Sequence, residues 1–127
     1  MSTSFDPRQG LIVVETRLHG PAGERLVRLA LDTGATTTAI NQVALVVIGC
    51  DPEASKDRVE VTTGSSVVFV PRLAVPKIEA LGQERAAFPV VAHTLPPSAS
   101  VDGVLGLDFM RGQCLTVDFR AGTVTSA

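Results

Sequence analysis

The chain has 127 residues, 45% of them apolar, and a formal net charge of −2. That length suits a single domain, and that apolar fraction separates it from disordered chains, which cannot bury enough surface to fold. No clustered basic face marks a nucleic-acid surface, and no apolar run approaches the roughly 20 residues of a membrane helix, so neither nucleic acid nor membrane is an expected partner.

Aromatic residues are scarce, with five Phe and neither Trp nor Tyr. The core must therefore come from Val, Leu, Ile and Ala, and the abundant Val favours strands because branched side chains suit a pleated, half-buried surface. Residues 1–10 are polar, lack the apolar core of a signal peptide and are expected as an N-terminal tail. Cys50 and Cys114 are too few for a disulfide framework and match no zinc spacing. A cytoplasmic protein with reduced thiols is the expectation, with no metal and no cofactor.

In chain order, Leu11 to Leu18 is a strand, and His19-Gly20-Pro21-Ala22-Gly23-Glu24 is a hairpin loop. Arg25 to Leu31 returns, with Val27, Leu29 and Leu31 on one face and Arg28 on the other. The alternation stops at Asp32-Thr33-Gly34-Ala35. Ala39-Ile40 is a short strand. Asn41 caps a helix from Gln42 to Ile48, which Gly49 ends. Asp51 to Asp57 is a loop. Arg58 to Val61 and Val67 to Val70 flank Thr62-Thr63-Gly64-Ser65-Ser66 as a second hairpin.

Pro71 to Ile78 and Phe88 to Ala92 are further strands, the first placed at an edge because of Pro71 and Pro76. Leu95 to Ser100 is a proline-rich loop. Asp102-Gly103 is a turn before Val104-Leu105-Gly106, and Asp108 caps a single helical turn from Phe109 to Gly112. Leu115 to Phe119 and Thr123 to Thr125 close the chain as a hairpin. Short strands so closely spaced exclude βαβ units, leaving one mostly-β domain over residues 11–127 with one or two short helices.

Asp32-Thr33-Gly34 is the segment with chemical content. An aspartate ending an apolar strand presents its carboxylate at the rim of the core. Gly34 lets the backbone turn sharply and brings its N–H toward that carboxylate, while the Thr33 hydroxyl can hold a neighbouring loop. Two such carboxylates sharing a proton can activate a water with one and protonate a carbonyl oxygen with the other. The triplet alone is also an ordinary turn ending a strand, because Asp and Gly are common turn residues.

A second segment, Val101-Asp102-Gly103-Val104-Leu105-Gly106-Leu107-Asp108-Phe109, lies far along the chain. Apolar–apolar–Gly after an aspartate loop, leading into a short helix, resembles the retropepsins and the wider pepsin clan. The tail from Cys114 to Thr125 looks like bacterial members of that group. The resemblance runs from about Leu11 to Val124 in the family's order. It implies an acid-protease (retropepsin-like) β-barrel and aspartic endopeptidase activity on a peptide or protein substrate. Asp32 would be catalytic, with Thr33, Gly34 and Ala35 completing its loop. Val104, Leu105 and Gly106 would be the supporting strand, and Thr62, Thr63, Gly64 and Ser65 the flap. With one aspartate loop per chain, it also implies a homodimer whose twofold axis supplies the second carboxylate. The alternative is a non-catalytic module of the same fold used for dimerisation or protein binding.

Retroviral members place an acidic residue two positions after the motif glycine and an arginine just after the second glycine. This chain has Thr36 and Leu107 there, so that ion pair cannot form and the loop must be supported differently. His19 and His93 are expected as exposed imidazoles without a metal role. Asp102, Asp108 and Asp118 have local readings as turn, helix cap and strand surface. Gly-x-Ser-x-Gly and phosphate-binding glycine loops are absent from the sequence.

Overall fold

The structure is a computed structural model that describes residues 2–62 and 64–127. Ten strands form among them: β1 (Ser2–Ser4), β2 (Val13–Gly20), β3 (Gly23–Leu31), β4 (Ala39–Ile40), β5 (Arg58–Thr62), β6 (Val67–Ala80), β7 (Gln83–Ala92), β8 (Gly103–Leu105), β9 (Leu115–Asp118) and β10 (Thr123–Ser126). Two short helices, α1 (Gln42–Val47) and α2 (Leu107–Met110), join them.

Strand β2 alternates as its sequence requires: Val14, Thr16 and Leu18 point inward while Glu15 faces solvent. It pairs with β3 over its whole length, from Val13↔Ala30 to Gly20↔Gly23. Six strands then close a barrel in the order β2-β3-β8-β4-β7-β6, and β6 returns to β2 through Arg17↔Glu79, Leu18↔Ile78 and His19↔Lys77. Two neighbours are parallel, β3 with β8 and β4 with β7, so β8 sits between β3 and β4. A separate three-stranded sheet, β1-β10-β9, packs beside the barrel.

The core is aliphatic with one aromatic centre. Leu18, Leu29, Ile40, Leu45, Ile78 and Leu105 are fully buried around Phe109, which meets Phe88 edge-on with centroids 5.7 Å apart. Each such side chain contributes roughly 1.5–3 kcal/mol by leaving water. The Arg85 guanidinium covers the Phe109 ring at 5.0 Å from its centroid.

Four local expectations are corrected. Residues 1–10 are not wholly a tail: Ser2–Ser4 pair with Thr123–Thr125 as an edge strand held by backbone bonds, which needs no apolar pattern. Strand β7 begins at Gln83 rather than Phe88, because the tight turn at Leu81-Gly82 folds it back along β6. The proline-bearing segment is part of the barrel wall and not an edge. Pro76 falls where the β6–β7 ladder lacks a pair, between Val75↔Phe88 and Lys77↔Ala86, so its missing N–H costs no ladder bond. His19 lies within β2, half-buried between Glu24 and Glu79, with contacts of 3.2 and 3.3 Å, instead of in an exposed loop.

The helix α1 has the cap its sequence suggests. The Asn41 carboxamide oxygen accepts the Ala44 N–H at 2.7 Å, and Gly49 follows the helix end at φ 89°.

Candidate active site

Asp32 leaves the end of β3 where β8 runs alongside, and its N–H donates to the Leu105 carbonyl at 3.0 Å. The chain then turns on itself. The Gly34 N–H donates to Asp32 Oδ1 at 2.8 Å, and the Ala35 N–H to the Asp32 carbonyl at 3.2 Å. These bonds hold the carboxylate in one orientation at the barrel rim, half-buried. Among the described residues it forms no ion pair.

The loop is tied to the segment after β8. Leu107 and Asp108 donate their N–H groups to the carbonyls of Ala35 and Thr36, at 2.8 and 3.3 Å. Gly106 lies so close beneath that a Cβ there would meet the Thr37 carbonyl carbon at 2.8 Å and the Ala35 oxygen at 2.9 Å. Only glycine permits that approach.

Thr38, fully buried, donates its N–H to both Asp108 oxygens at 3.0 Å and its hydroxyl to Oδ1 at 2.7 Å. The same hydroxyl accepts the Gly106 N–H at 3.1 Å. This clamp supports the loop where the Thr36/Leu107 positions provide no ion pair. Asp108 is therefore more than a helix cap. It does accept the Phe109 N–H at 2.9 Å, but Gly106 occupies the N-cap position of α2, which runs Leu107–Met110.

Asp102 likewise does more than turn the chain. Its carboxylate accepts the Arg28 N–H at 2.8 Å and the Asn41 side-chain amide at 3.3 Å, joining β3 to the start of α1. Asp118 accepts the N–H groups of Arg120 and Ala121 in the last hairpin, both at 2.9 Å.

A cleft of about 990 Å³ opens over this loop. Asp32, Gly34 and Ala35 line its floor with Val104, and Thr62 and Gly64 line it from the β5–β6 hairpin. The hairpin is anchored by a small apolar cluster in which Val59, Val61, Val68 and Val70 meet Ala39, Val91 and Val104. It therefore overhangs the same space as the carboxylate. Leu105 and Gly106 are buried behind the floor, Ser65 is exposed and lies off the cleft, and Thr63 lies outside the described residues.

Thr33 is exposed and does not line the cleft. Its hydroxyl forms no hydrogen bond among the described residues, so it holds no neighbouring loop of its own chain.

The sequence reading missed the far wall. Val91, His93, Leu95 and Pro96 come from β7 and the segment after it, carried there by the parallel pairing of Ala39 with Val91. Their signal was the run from β7 into the proline-rich loop, but parallel pairing leaves no local pattern to show its partner. His93 is half-buried in this wall, which corrects the expected exposed imidazole. Among the described residues no group of three or more His, Cys, Asp or Glu side chains converges as a metal site would require.

The barrel is closed, with the Asp32 loop at its rim and the β5–β6 hairpin above it. The profile of the aspartyl protease family matches residues 14–109, and the chain belongs to that family of aspartic-type peptidases. Among solved structures it is similar to a crystal structure of a retropepsin-like aspartic protease from Rickettsia conorii. That match has a TM-score of 0.71 at 14% identity and covers 100% of this chain and 91% of that one. The fold is thus retropepsin-like. No curated protein matches the chain in sequence. No helix among the described residues is long and apolar enough to cross a membrane.

Proposed function

We propose that the chain is an aspartic endopeptidase that works as a homodimer, with Asp32 from each copy facing the other across a twofold axis. The observation that carries this reading is the position of Asp32: oriented by the Gly34 N–H, open to a cleft, and roofed by the β5–β6 hairpin. A second observation favours the dimer. The Thr33 side chain points to solvent beside the carboxylate, and the neighbouring loop it could hold is that of a partner copy.

In such a dimer, two carboxylates about 4 Å apart repel by on the order of 4 kcal/mol at an effective dielectric near 20, so they share one proton. The ionised carboxylate takes a proton from a water whose oxygen attacks the peptide carbonyl carbon. The protonated one gives its proton to the carbonyl oxygen. Collapse of the tetrahedral species breaks the C–N bond as the amine nitrogen is protonated, and the dyad recovers its single shared proton. Asp32, Thr33, Gly34 and Ala35 form the catalytic loop, Val104, Leu105 and Gly106 its supporting strand, and Thr62 to Ser65 the flap. The buried Cys50 and exposed Cys114, both free, suit a reducing cytoplasm.

The test is cleavage of a broad peptide library across about pH 3–8, the span in which perturbed carboxylate pairs titrate. Wild type should cleave with a bell-shaped pH dependence, and Asp32→Asn should be inactive yet folded and dimeric. Equal cleavage by Asp32→Asn would remove Asp32 from the chemistry, and no cleavage by wild type would favour the binding-module alternative.

A further inference from the structure

Strand β7 runs out of the barrel core into the cleft. Ala92 is fully buried in the main core, so its neighbours Val91 and His93 share the opposite face. Val91 belongs to the apolar cluster under the flap, and both Val91 and His93 line the cleft with Asp32. The His93 backbone is fixed, because its N–H donates to the Ile40 carbonyl at 3.0 Å, continuing the pairing of β4 with β7. The next residue is anchored too, its Thr94 hydroxyl accepting the Gln42 N–H at 3.3 Å.

The His93 imidazole itself has no hydrogen bond or ion pair among the described residues. It is therefore a half-buried donor and acceptor held just past the end of β7, facing a cleft and without a partner among the described residues.

The cleft's charge balance gives that imidazole a meaning. Among the described residues, Asp32, Glu60 and His93 are its ionisable lining groups, and neither Lys nor Arg lines it. Glu60 is exposed on β5 and lines the cleft from the hairpin, on the same strand face as Thr62. His93 is then the one lining group able to carry positive charge toward a substrate.

We propose that His93 is a specificity-determining residue that recognises an acidic side chain of the substrate. Residues Ala39, Val91 and Val104 form an apolar wall that seats an apolar side chain. His93 lies two residues along the strand from Val91, roughly 6.6–6.8 Å away, which is also the spacing of same-face side chains in an extended peptide. The favoured substrate carries an apolar residue and, two positions from it, a Glu or Asp whose carboxylate accepts a hydrogen bond from the imidazole. This rests on the peptidase reading above. In a twofold dimer the same pair of subsites occurs once on each side of the scissile bond.

The test uses the full chain and peptides identical except for Glu, Gln or Lys two positions from an apolar residue, on either side of the cleavage point. For wild type, kcat/KM should be about tenfold higher for the Glu than for the Lys peptide, the size of one charge-assisted hydrogen bond. His93→Gln should reduce that ratio to about twofold or less, and His93→Glu should reverse it in favour of Lys. A ratio cancels any general loss of activity, and a damaged fold cannot reverse a preference. The same peptides bound to Asp32→Asn, read by fluorescence anisotropy, should show the same order. If wild type cleaves nothing, the peptidase reading fails while this binding order still decides the role of His93. Equal preference for all three peptides in wild type, or a preference unchanged in His93→Glu, would overturn it.

Discussion

Thr38 and Asp108 are seventy residues apart in sequence and joined by three hydrogen bonds, two from the Thr38 N–H and one from its hydroxyl. Because that hydroxyl also accepts the Gly106 N–H, one buried threonine links the aspartate loop to both β8 and α2. Thr38→Val keeps the shape but leaves the Gly106 N–H without its acceptor. It should lower stability by about 1–3 kcal/mol, measured from the urea midpoint. Asp108→Ala should cost a similar amount, and the double variant less than the sum of the two, since both singles break the same contact.

Gly106→Ala should be worse for the site than for the rest of the fold. The added methyl meets backbone of Ala35 and Thr37 rather than a side chain that could swing away. Overpacking of this kind costs about 1–3 kcal/mol. Its relief must move residues 35–37, so peptide cleavage should fall more than the loss of folded protein accounts for. Activity per folded molecule, with the folded fraction read by circular dichroism, checks this.

Thr33→Val should weaken the proposed dimer while leaving the monomer fold unchanged, because its hydroxyl has no partner among the described residues. Two hydrogen bonds lost across a twofold axis, at about 1 kcal/mol each, amount to about a ten- to thirtyfold rise in the dissociation constant. Sedimentation over a concentration series reads it directly, and an unchanged constant would place the interface elsewhere.

The seam where β2 meets β6 carries charges whose contribution depends on pH. A hydrogen bond shared with the Glu84 carboxyl and then one with His19, with a smaller attraction from Lys77, hold Glu79 below its ordinary value of 4.5. A carboxyl depressed in the folded state stabilises fully above its unfolded value, and that stability is lost as pH falls through the folded value. The gap in melting temperature between wild type and Glu79→Gln should thus favour wild type near neutrality and close below about pH 4. It should also shrink in high salt, because these side chains are solvent-accessible.

Much of this arrangement was legible in the sequence because it is local. The alternation of Val27, Leu29 and Leu31 into Asp32 marks a strand that ends at its functional residue, and Asn41 with Gly49 brackets α1. What was hidden depends on partners far along the chain. Ser2–Ser4 carry no apolar pattern and become a strand only because β10 offers its backbone. Gln83 to Ala87 is polar or weakly strand-forming, and pairing with β6 overrides that preference. The turn before it places Leu81, not a usual turn residue, at φ 54°. Asp108 looked like a helix cap because the competing role, accepting from Thr38, depends on a residue seventy positions away in the chain.

The position of β8 between β3 and β4 also has a temporal consequence. Asp32 and its loop are made early in synthesis, but the carbonyl of Leu105 that receives the Asp32 N–H comes more than seventy residues later. Until β8 inserts, β3 and β4 have no common neighbour and the loop has no floor. Contacts of such long sequence separation close slowly and late in folding. A chain emerging from the ribosome therefore holds its aspartate unsupported until nearly the whole barrel has been made. The aspartate loop gains its floor only as the barrel itself closes.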